Sequence, residues 1–407
     1  MNILFLCNKN PYPEMDGGCI SINNGIKEAI RRNYNIKVLA VNSYKNHVNP
    51  KDLPKDYLEK TKFENVFLDL KIKPLRFLST YFTGKSPHMI RFFSKEFNNK
   101  LLDILSNNNF DVVILESLFM CPYIETIRGF SKKLKIVLRA HNVEYKIWER
   151  MAKSENNGNI KDKIKKVALK HVYKTLKKYE LDAIKKVDGI AAITEVDKKF
   201  FEQHTDVPVT VVPFGYDISN FYVKEDDKNF IPNTIFHLGA MNWHPNLEGV
   251  NWFLYNVWSK LLAQKPELKL YLAGRKMSEE WMNKKIDNVV MVGEVDNVKD
   301  FMLSNQIMIV PLLSGSGMRI KIIEGLALGK VIVSTTIGAE GIDVNNKKDI
   351  LIADTPEDFV SAILEVLENK ELFNSISNAA ITTAQKYDIK KIYDNYMSFI
   401  STLNPMG

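Results

Sequence analysis

Short runs of β-branched and aliphatic residues punctuate the chain, each followed by a turn and then by a stretch with helical spacing. In the first half they fall at 3–6, 36–41, 112–115, 136–138, 189–193 and 209–212. Runs that are apolar on both faces suit strands covered on both sides, and their alternation with helices predicts a parallel sheet flanked by helices. The pattern restarts with runs at 234–238, 268–273, 289–292, 307–311, 331–334 and 350–353, which predicts a second domain of the same kind. Between them, PFGYDISNFYVKEDDKNFIP has two prolines, scattered charge and weak periodicity. It reads as a connection. The predicted fold class is α/β with two Rossmann-like, doubly wound domains: 1–212, a linker at 213–232, 233–385, and a C-terminal helix within 386–407 that packs back on the first domain.

Two segments break the rhythm. Residues 44–95 hold eleven Lys/Arg among apolar and aromatic side chains without a clear strand–helix alternation, as a ligand-specific insertion would. Residues 160–187 place Ile164, Val167, Ala168, His171, Val172, Thr175, Leu176, Tyr179 and Ala183 near one face, with lysines crowding the others. This predicts a long basic helix, read as a solvated surface helix in preference to one lying on a membrane.

Charge divides unevenly. Residues 1–212 carry 37 Lys+Arg against 24 Asp+Glu, a surplus of 13, while the remainder carries 19 against 24. A basic half joined to a mildly acidic half predicts that the first half meets an anionic surface, such as a membrane or a lipid diphosphate. Nucleic acid is set aside, because the lysines are spread over helices without a recognition motif. No run approaches the roughly 18 apolar residues of a membrane span, and MNILFLCNKN leads directly into a strand pattern, so the expected location is cytoplasmic, peripheral at the inner membrane face. Cys7, Cys19 and Cys121 lack metal-ligand spacing and read as free thiols.

The sharpest local pattern is IMIVPLLSGSGMRIKIIEGLALGKVIVST, residues 307–335. It predicts a strand, a Gly/Ser loop, a helix of about a dozen residues opening near Met318 and closed by Gly329, and another strand. Gly315, Ser316 and Gly317 let a ligand approach the backbone, and the helix tip directs free amides at it. Arg319 and Lys321, expected in the first turn, oppose the helix dipole unless an anion is bound there. Glu324, one turn on, is placed to accept ribose hydroxyls. An ordinary strand–helix–strand crossover with a charged face is the alternative.

This segment resembles the C-terminal signature of retaining GT-B glycosyltransferases of the family 4 type, the group 1 glycosyl transferases, in the subgroup reading GxGxRxKxxExxxxG; STTIGAEGI at 334–342 extends the match. The resemblance implies two domains facing across a cleft, Glu324 on the donor ribose, and Arg319 and Lys321 on the donor diphosphate. Two departures stand out. Ser316 replaces a glutamate common in relatives, so the backbone amides of 315–318, Met318 included, are the expected substitute. The loop LGAMNWHPNLEG at 238–249 has Asn242, Trp243, His244 and Asn246 where relatives place an Arg and a Lys. Trp243 and His244 are candidate donor-sugar or acceptor contacts, packing and a helix cap at Asn246 being the alternative.

In the first half, KNPYPEMDGG at 9–18 places Gly17 and Gly18 between the first strand and a helix expected from near Ile20. The resemblance assigns them to a loop approaching the donor diphosphate, with Asp16 a candidate acceptor contact. KIVLRAHNVEYKIWERM at 135–151 delivers His141 and Asn142 to the same sheet edge. By resemblance His141 is the active-site histidine, touching a hydroxyl of the transferred sugar. Glu144 either orients it, receives the acceptor proton, or caps the next helix. The implied activity is retaining hexosyl transfer from a UDP- or GDP-sugar to a hydroxyl of a glycan or lipid-linked glycan in surface polysaccharide synthesis. No Asp-x-Asp element is present, so no metal and no cofactor are expected. The rival readings are a sugar-nucleotide epimerase of the same architecture and a non-catalytic assembly subunit.

Overall fold

The computed structural model describes residues 1–71, 73–154, 160–221, 229–315 and 318–403, whose strands fall into two parallel sheets, one in each of two units. One unit is Met1–Gly215 together with the chain from Ile392 onward; the other is Tyr216–Lys391.

The first unit's strands are β1 (Asn2–Cys7), β2 (Asn35–Asn42), β3 (Glu64–Phe67), β4 (Val112–Glu116), β5 (Lys135–Ala140), β6 (Gly189–Ala192) and β7 (Val209–Val211), ordered β3-β2-β1-β4-β5-β6-β7. Ile3, Leu4, Phe5 and Leu6 of β1 and Val113, Ile114 and Leu115 of β4 are fully buried, on alternating faces of the sheet. That burial is the physical source of the unbroken apolar runs. β3 was not foreseen: its ENVF buries only Val66, as an edge strand with one covered face does.

The long helix is Ile160–Ala183. Its buried stripe is Leu169, Val172, Leu176 and Ala183, with Glu180 inside it, whereas Val167, expected on that face, is exposed. The last helix, Ile389–Leu403, buries Ile392, Tyr393, Tyr396, Met397 and Ile400. A side chain at Gly189 would reach within 2.5 Å of Leu403 Cδ1, so glycine lets this helix close on the start of β6. All three cysteines are free and buried.

The second unit contains β8 (Ile231–Leu238), β9 (Lys269–Ala273), β10 (Val289–Gly293), β11 (Asn305–Val310), β12 (Val331–Ser334) and β13 (Leu351–Ile352), ordered β10-β9-β8-β11-β12-β13. Each sheet therefore reverses direction beside its first strand, between β1 and β4 and between β8 and β11. In open α/β sheets ligands bind outside the carboxyl ends of the strands at such a reversal.

Candidate functional site

At the reversal of the second sheet, glycines bring the backbone unusually close. A Cβ on Gly274, whose φ is +152°, would fall 1.7 Å from the carbonyl oxygen of Gly239, and one on Gly249 would fall 2.3 Å from that of Pro311. The loop after β11 then turns at Gly315, φ +102°, where a side chain would press on Trp243, Pro245 and the Arg319 guanidinium. Ser316 and Gly317 lie outside the described residues.

The helix that follows is Ile320–Ala327, shorter and later than expected. Arg319 has extended backbone, φ −92° and ψ 96°, so it is the N-cap residue and only Lys321 occupies the first turn. Arg319 is buried, and its guanidinium carbon lies 5.5 Å from the centre of the exposed Trp243 ring, a cation–π arrangement. Lys321 Nζ donates to the carbonyl of Leu238 at 2.9 Å and to Asn246 Oδ1 at 3.2 Å. Both acceptors are neutral. Burial, reinforced by the Arg319 charge, pushes the Lys321 ammonium down to about 7. Asn246 is not a cap: the helix His244–Phe253 starts two residues earlier, and the Asn246 amide instead donates to Ala240 O at 3.0 Å while accepting from Lys321. His244 opens that helix with an exposed side chain.

One turn beyond Lys321, Glu324 Oε1 accepts from the Tyr216 hydroxyl at 2.6 Å. Burial raises the Glu324 carboxyl above its ordinary value, against the opposing hydrogen bond. Tyr216 is itself held on both sides, its N–H donating to Tyr387 O and its carbonyl accepting from Ile389 N. Met318 is half-buried against the core beneath. The flanking 334–342 stretch is tied to the strand ends by Ser334 Oγ donating to Val310 O and Thr335 Oγ1 to Leu312 O.

In the first unit the helix after β1 is Gly17–Arg31, so Gly17 and Gly18 form its first turn and do not precede it. Asp16 is the N-cap: its carboxylate accepts from Cys19 N at 2.9 Å and pairs with Lys9 Nζ at 2.6 Å. A side chain on Gly18 would meet Lys9 Nζ at 2.5 Å, whereas Gly17 borders open space.

His141, just beyond β5, is part-buried with Nε2 2.9 Å from Glu116 Oε2. Glu116 is the last residue of β4 and fully buried. The β4–β5 register sets it directly opposite Arg139, whose equally buried guanidinium is 3.6 Å from the same oxygen. Arg139 also donates to Ser21 O at 2.8 Å and Ser21 Oγ at 3.0 Å, and Tyr393 Oη of the last helix donates to that carbonyl. A carboxylate beside a buried guanidinium accepts, so Nε2 of His141 is the donor of this pair, and in the neutral ring Nδ1 is the atom left to accept. Ser117, next in the chain, has φ +91°, a strained conformation costing about 1–3 kcal/mol that such sites often hold.

The carboxylate on His141 is thus that of Glu116, not Glu144. Nor does Glu144 cap its own helix, Glu144–Ser154: Glu180 does, accepting from the backbone N–H of Glu144 and of Tyr145, both at 2.9 Å. Glu144 is hydrogen-bonded to the exposed Asn142, and burial pushes its carboxyl up to about 7. Glu180 is pushed up as well, by burial. Sequence reasoning missed Glu116, Arg139, Glu180 and Tyr216. The available signal was a charged residue near the carboxyl end of an otherwise aliphatic strand, in VVILE and in KIVLRA.

Residues 232–369 match the family Glycosyl transferases group 1, a span that contains the whole cationic edge of the second sheet. Over 402 residues the chain is 25% identical to a Klebsiella pneumoniae protein described as an uncharacterized 44.6 kDa protein in the cps region, covering 95% of this chain and 96% of that one. Among solved structures, Anabaena Alr3699/HepE in complex with UDP has a TM-score of 0.62 at 13% identity, covering 99% of this chain and 100% of that one. Sucrose-phosphate synthase (tll1590) from Thermosynechococcus elongatus has a TM-score of 0.63 at 12% identity, covering 99% of both chains. These likenesses identify the fold as GT-B, with two Rossmann-like α/β domains.

Proposed function

We propose that the chain is a retaining glycosyltransferase that moves a hexosyl group from a UDP- or GDP-sugar to a hydroxyl of a glycan or lipid-linked glycan, without a metal ion. The observation that carries this reading is the cation pair at the reversal of the second sheet: Lys321 facing neutral acceptors, Arg319 stacked on Trp243, and Glu324 one turn on. A diphosphate would accept from both of these cationic groups. Glu324 would accept from the ribose hydroxyls, with Tyr216 fixing its rotamer. The match to group 1 glycosyl transferases over this unit, UDP in the Anabaena structure, and the cps-region setting of the Klebsiella protein all support it.

In the reaction, the bond from the anomeric carbon to the leaving phosphate oxygen breaks, and the acceptor oxygen forms a bond to that carbon on the same face. The acceptor proton passes to the departing diphosphate, whose charge Arg319 and Lys321 stabilise. The Nδ1 lone pair of His141 accepts from a hydroxyl of the transferred sugar, orienting it without acting as nucleophile.

Incubation with UDP- and GDP-sugars, with and without glycan acceptors, tests the reading. Nucleoside diphosphate released only when acceptor is present is the expected result. An isomerised donor without acceptor would make the protein an epimerase, and donor binding without turnover would make it an assembly subunit. In a thermal-shift panel of nucleoside diphosphates, Glu324→Ala should weaken the best ligand about tenfold; an unchanged shift contradicts the ribose assignment.

A further inference from the structure

The helix Pro74–Thr83 shows one face to the protein and a different one to solvent. Its inner face meets the long helix Ile160–Ala183 at His171: the Tyr81 ring stacks on the imidazole at 3.8 Å, the Phe77 ring stands edge-on to it, and Thr80 Oγ1 lies 2.8 Å from His171 Nε2. Arg76 donates to Ile90 O at 3.0 Å and steadies the start of the helix. These contacts fix which way the helix faces. Leu75, Leu78 and Phe82, spaced i, i+3 and i+7 on the opposite face, are 83%, 56% and 91% exposed.

Single exposed apolar residues are ordinary on a protein surface, but three large ones on one face of a ten-residue helix form a patch. The charge around it is mostly basic, with Asp69, 3.7 Å from Lys73 Nζ, at its edge. Residues 70–95 contain six Lys/Arg and no Asp or Glu, and Lys71, Lys73, Arg76 and Lys85, which bracket the apolar face, are all exposed. At 1.5 Å rise per residue the helix is roughly 15 Å long, about half of a bilayer core. It can lie in a membrane interface but not cross it.

We propose that this helix is a membrane-docking element, inserting Leu75, Leu78 and Phe82 among the acyl chains of an anionic lipid surface while the flanking lysines and Arg76 meet the headgroups. The occupant follows from charge: Lys71, Lys73, Arg76 and Lys85 outnumber the single flanking carboxylate, Asp69, and a zwitterionic surface or a neutral protein groove would leave that cationic surplus without a counterpart. The assignment narrows the anionic-surface contact, expected of the basic first half as a whole, to this one short helix. It stands independently of glycosyl transfer, because docking needs neither donor nor acceptor.

Flotation of the full chain with phosphatidylglycerol–phosphatidylcholine vesicles, against phosphatidylcholine alone, at low and high salt, is the test. Binding to the anionic vesicles at low salt is expected, with a drop of about tenfold or more in partitioning for Leu78→Asp/Phe82→Asp. A Lys73→Gln/Lys85→Gln variant should lose the salt-sensitive part only. Unchanged melting temperatures, expected for such exposed positions, separate lost docking from lost folding. The proposal is overturned if the wild type stays unbound, if the Asp variant floats as well as the wild type, or if the wild type does not float and size exclusion shows a dimer that the Asp substitutions dissolve. In that last case the face belongs to a second copy. Flotation with no sugar transfer would sink the enzymatic reading and leave this one standing.

Discussion

The two sheets share a strand order up to the sixth strand and reverse at the same place, yet the two reversals hold different chemistry. At the first, a fully buried carboxylate, Glu116, closes β4 and holds His141 and Arg139. At the second, an ammonium and a guanidinium gather against carbonyls, an amide and an indole face. Identical topology supplies a place outside the strand ends; the side chain at the end of each strand decides what that place attracts. The first edge presents a hydrogen-bond acceptor suited to a sugar hydroxyl, and the second gathers two cationic groups suited to a phosphate.

If that division is right, substitutions at the two edges separate kinetically. The largest effect is expected from Glu116→Ala, which frees His141 to change tautomer and rotate: turnover should fall about a hundredfold, while nucleoside diphosphate affinity stays unchanged. Glu116→Gln, which keeps an acceptor oxygen at the same position, should recover part of the loss. Nitrogen-15 shifts of His141 report the tautomer without any substrate, and a wild-type imidazole protonated on Nδ1 would contradict the assignment. Lys321→Met should do the converse. Loss of a charge-assisted hydrogen bond to phosphate weakens UDP or GDP binding about tenfold to thirtyfold, as calorimetry would record. Because the Lys321 ammonium is held down to about 7, binding the anion takes up a proton above that pH, and wild-type affinity should decline from pH 7 to 9. Affinity that is flat with pH, in wild type and variant alike, would place the diphosphate elsewhere.

Strands were legible because both faces of each central strand are buried, which writes an uninterrupted apolar run into the sequence. β3 was not, since an edge strand with a single buried residue leaves no such run. Helix starts slipped by about a turn where a short polar residue caps a glycine-opened helix, at Asp16, and where Arg319 has extended backbone in place of helical. The cationic residues of the second edge were readable because they are close in sequence, on one loop and one helix turn. The Glu116–Arg139–His141 set was only half readable. Its carboxylate arrives from the neighbouring strand through the β4–β5 register, and no local spacing records which residues a register will oppose. Glu180 illustrates the same limit: it lies within the buried stripe of a helix otherwise read as a lysine-rich surface, and its partners are backbone N–H groups of another helix.

The same contrast extends to stability, where the expected effects are smallest and opposite in sign. Glu144 is buried and pushed up to about 7, above the ordinary carboxylate range near 4.3. The folded first unit therefore keeps a proton that the unfolded chain releases. Its contribution is fully present below the unfolded value and is lost as pH rises through about 7, which amounts to about 1 kcal/mol between pH 6 and 7. Lys321 is pushed down to about 7 from an ordinary value near 10.4. Here the unfolded chain holds the extra proton, so the second unit gains about 1 kcal/mol between pH 7 and 8. Glu144→Gln, which keeps the hydrogen bond to Asn142 but does not titrate, should reduce the first slope, to which the buried Glu180 carboxyl also contributes, and Lys321→Met should reduce the second. Urea midpoints of each variant and the wild type across those windows measure both. Slopes of the same sign for the two substitutions would mean that the buried acid and the buried base do not differ in the way their surroundings require.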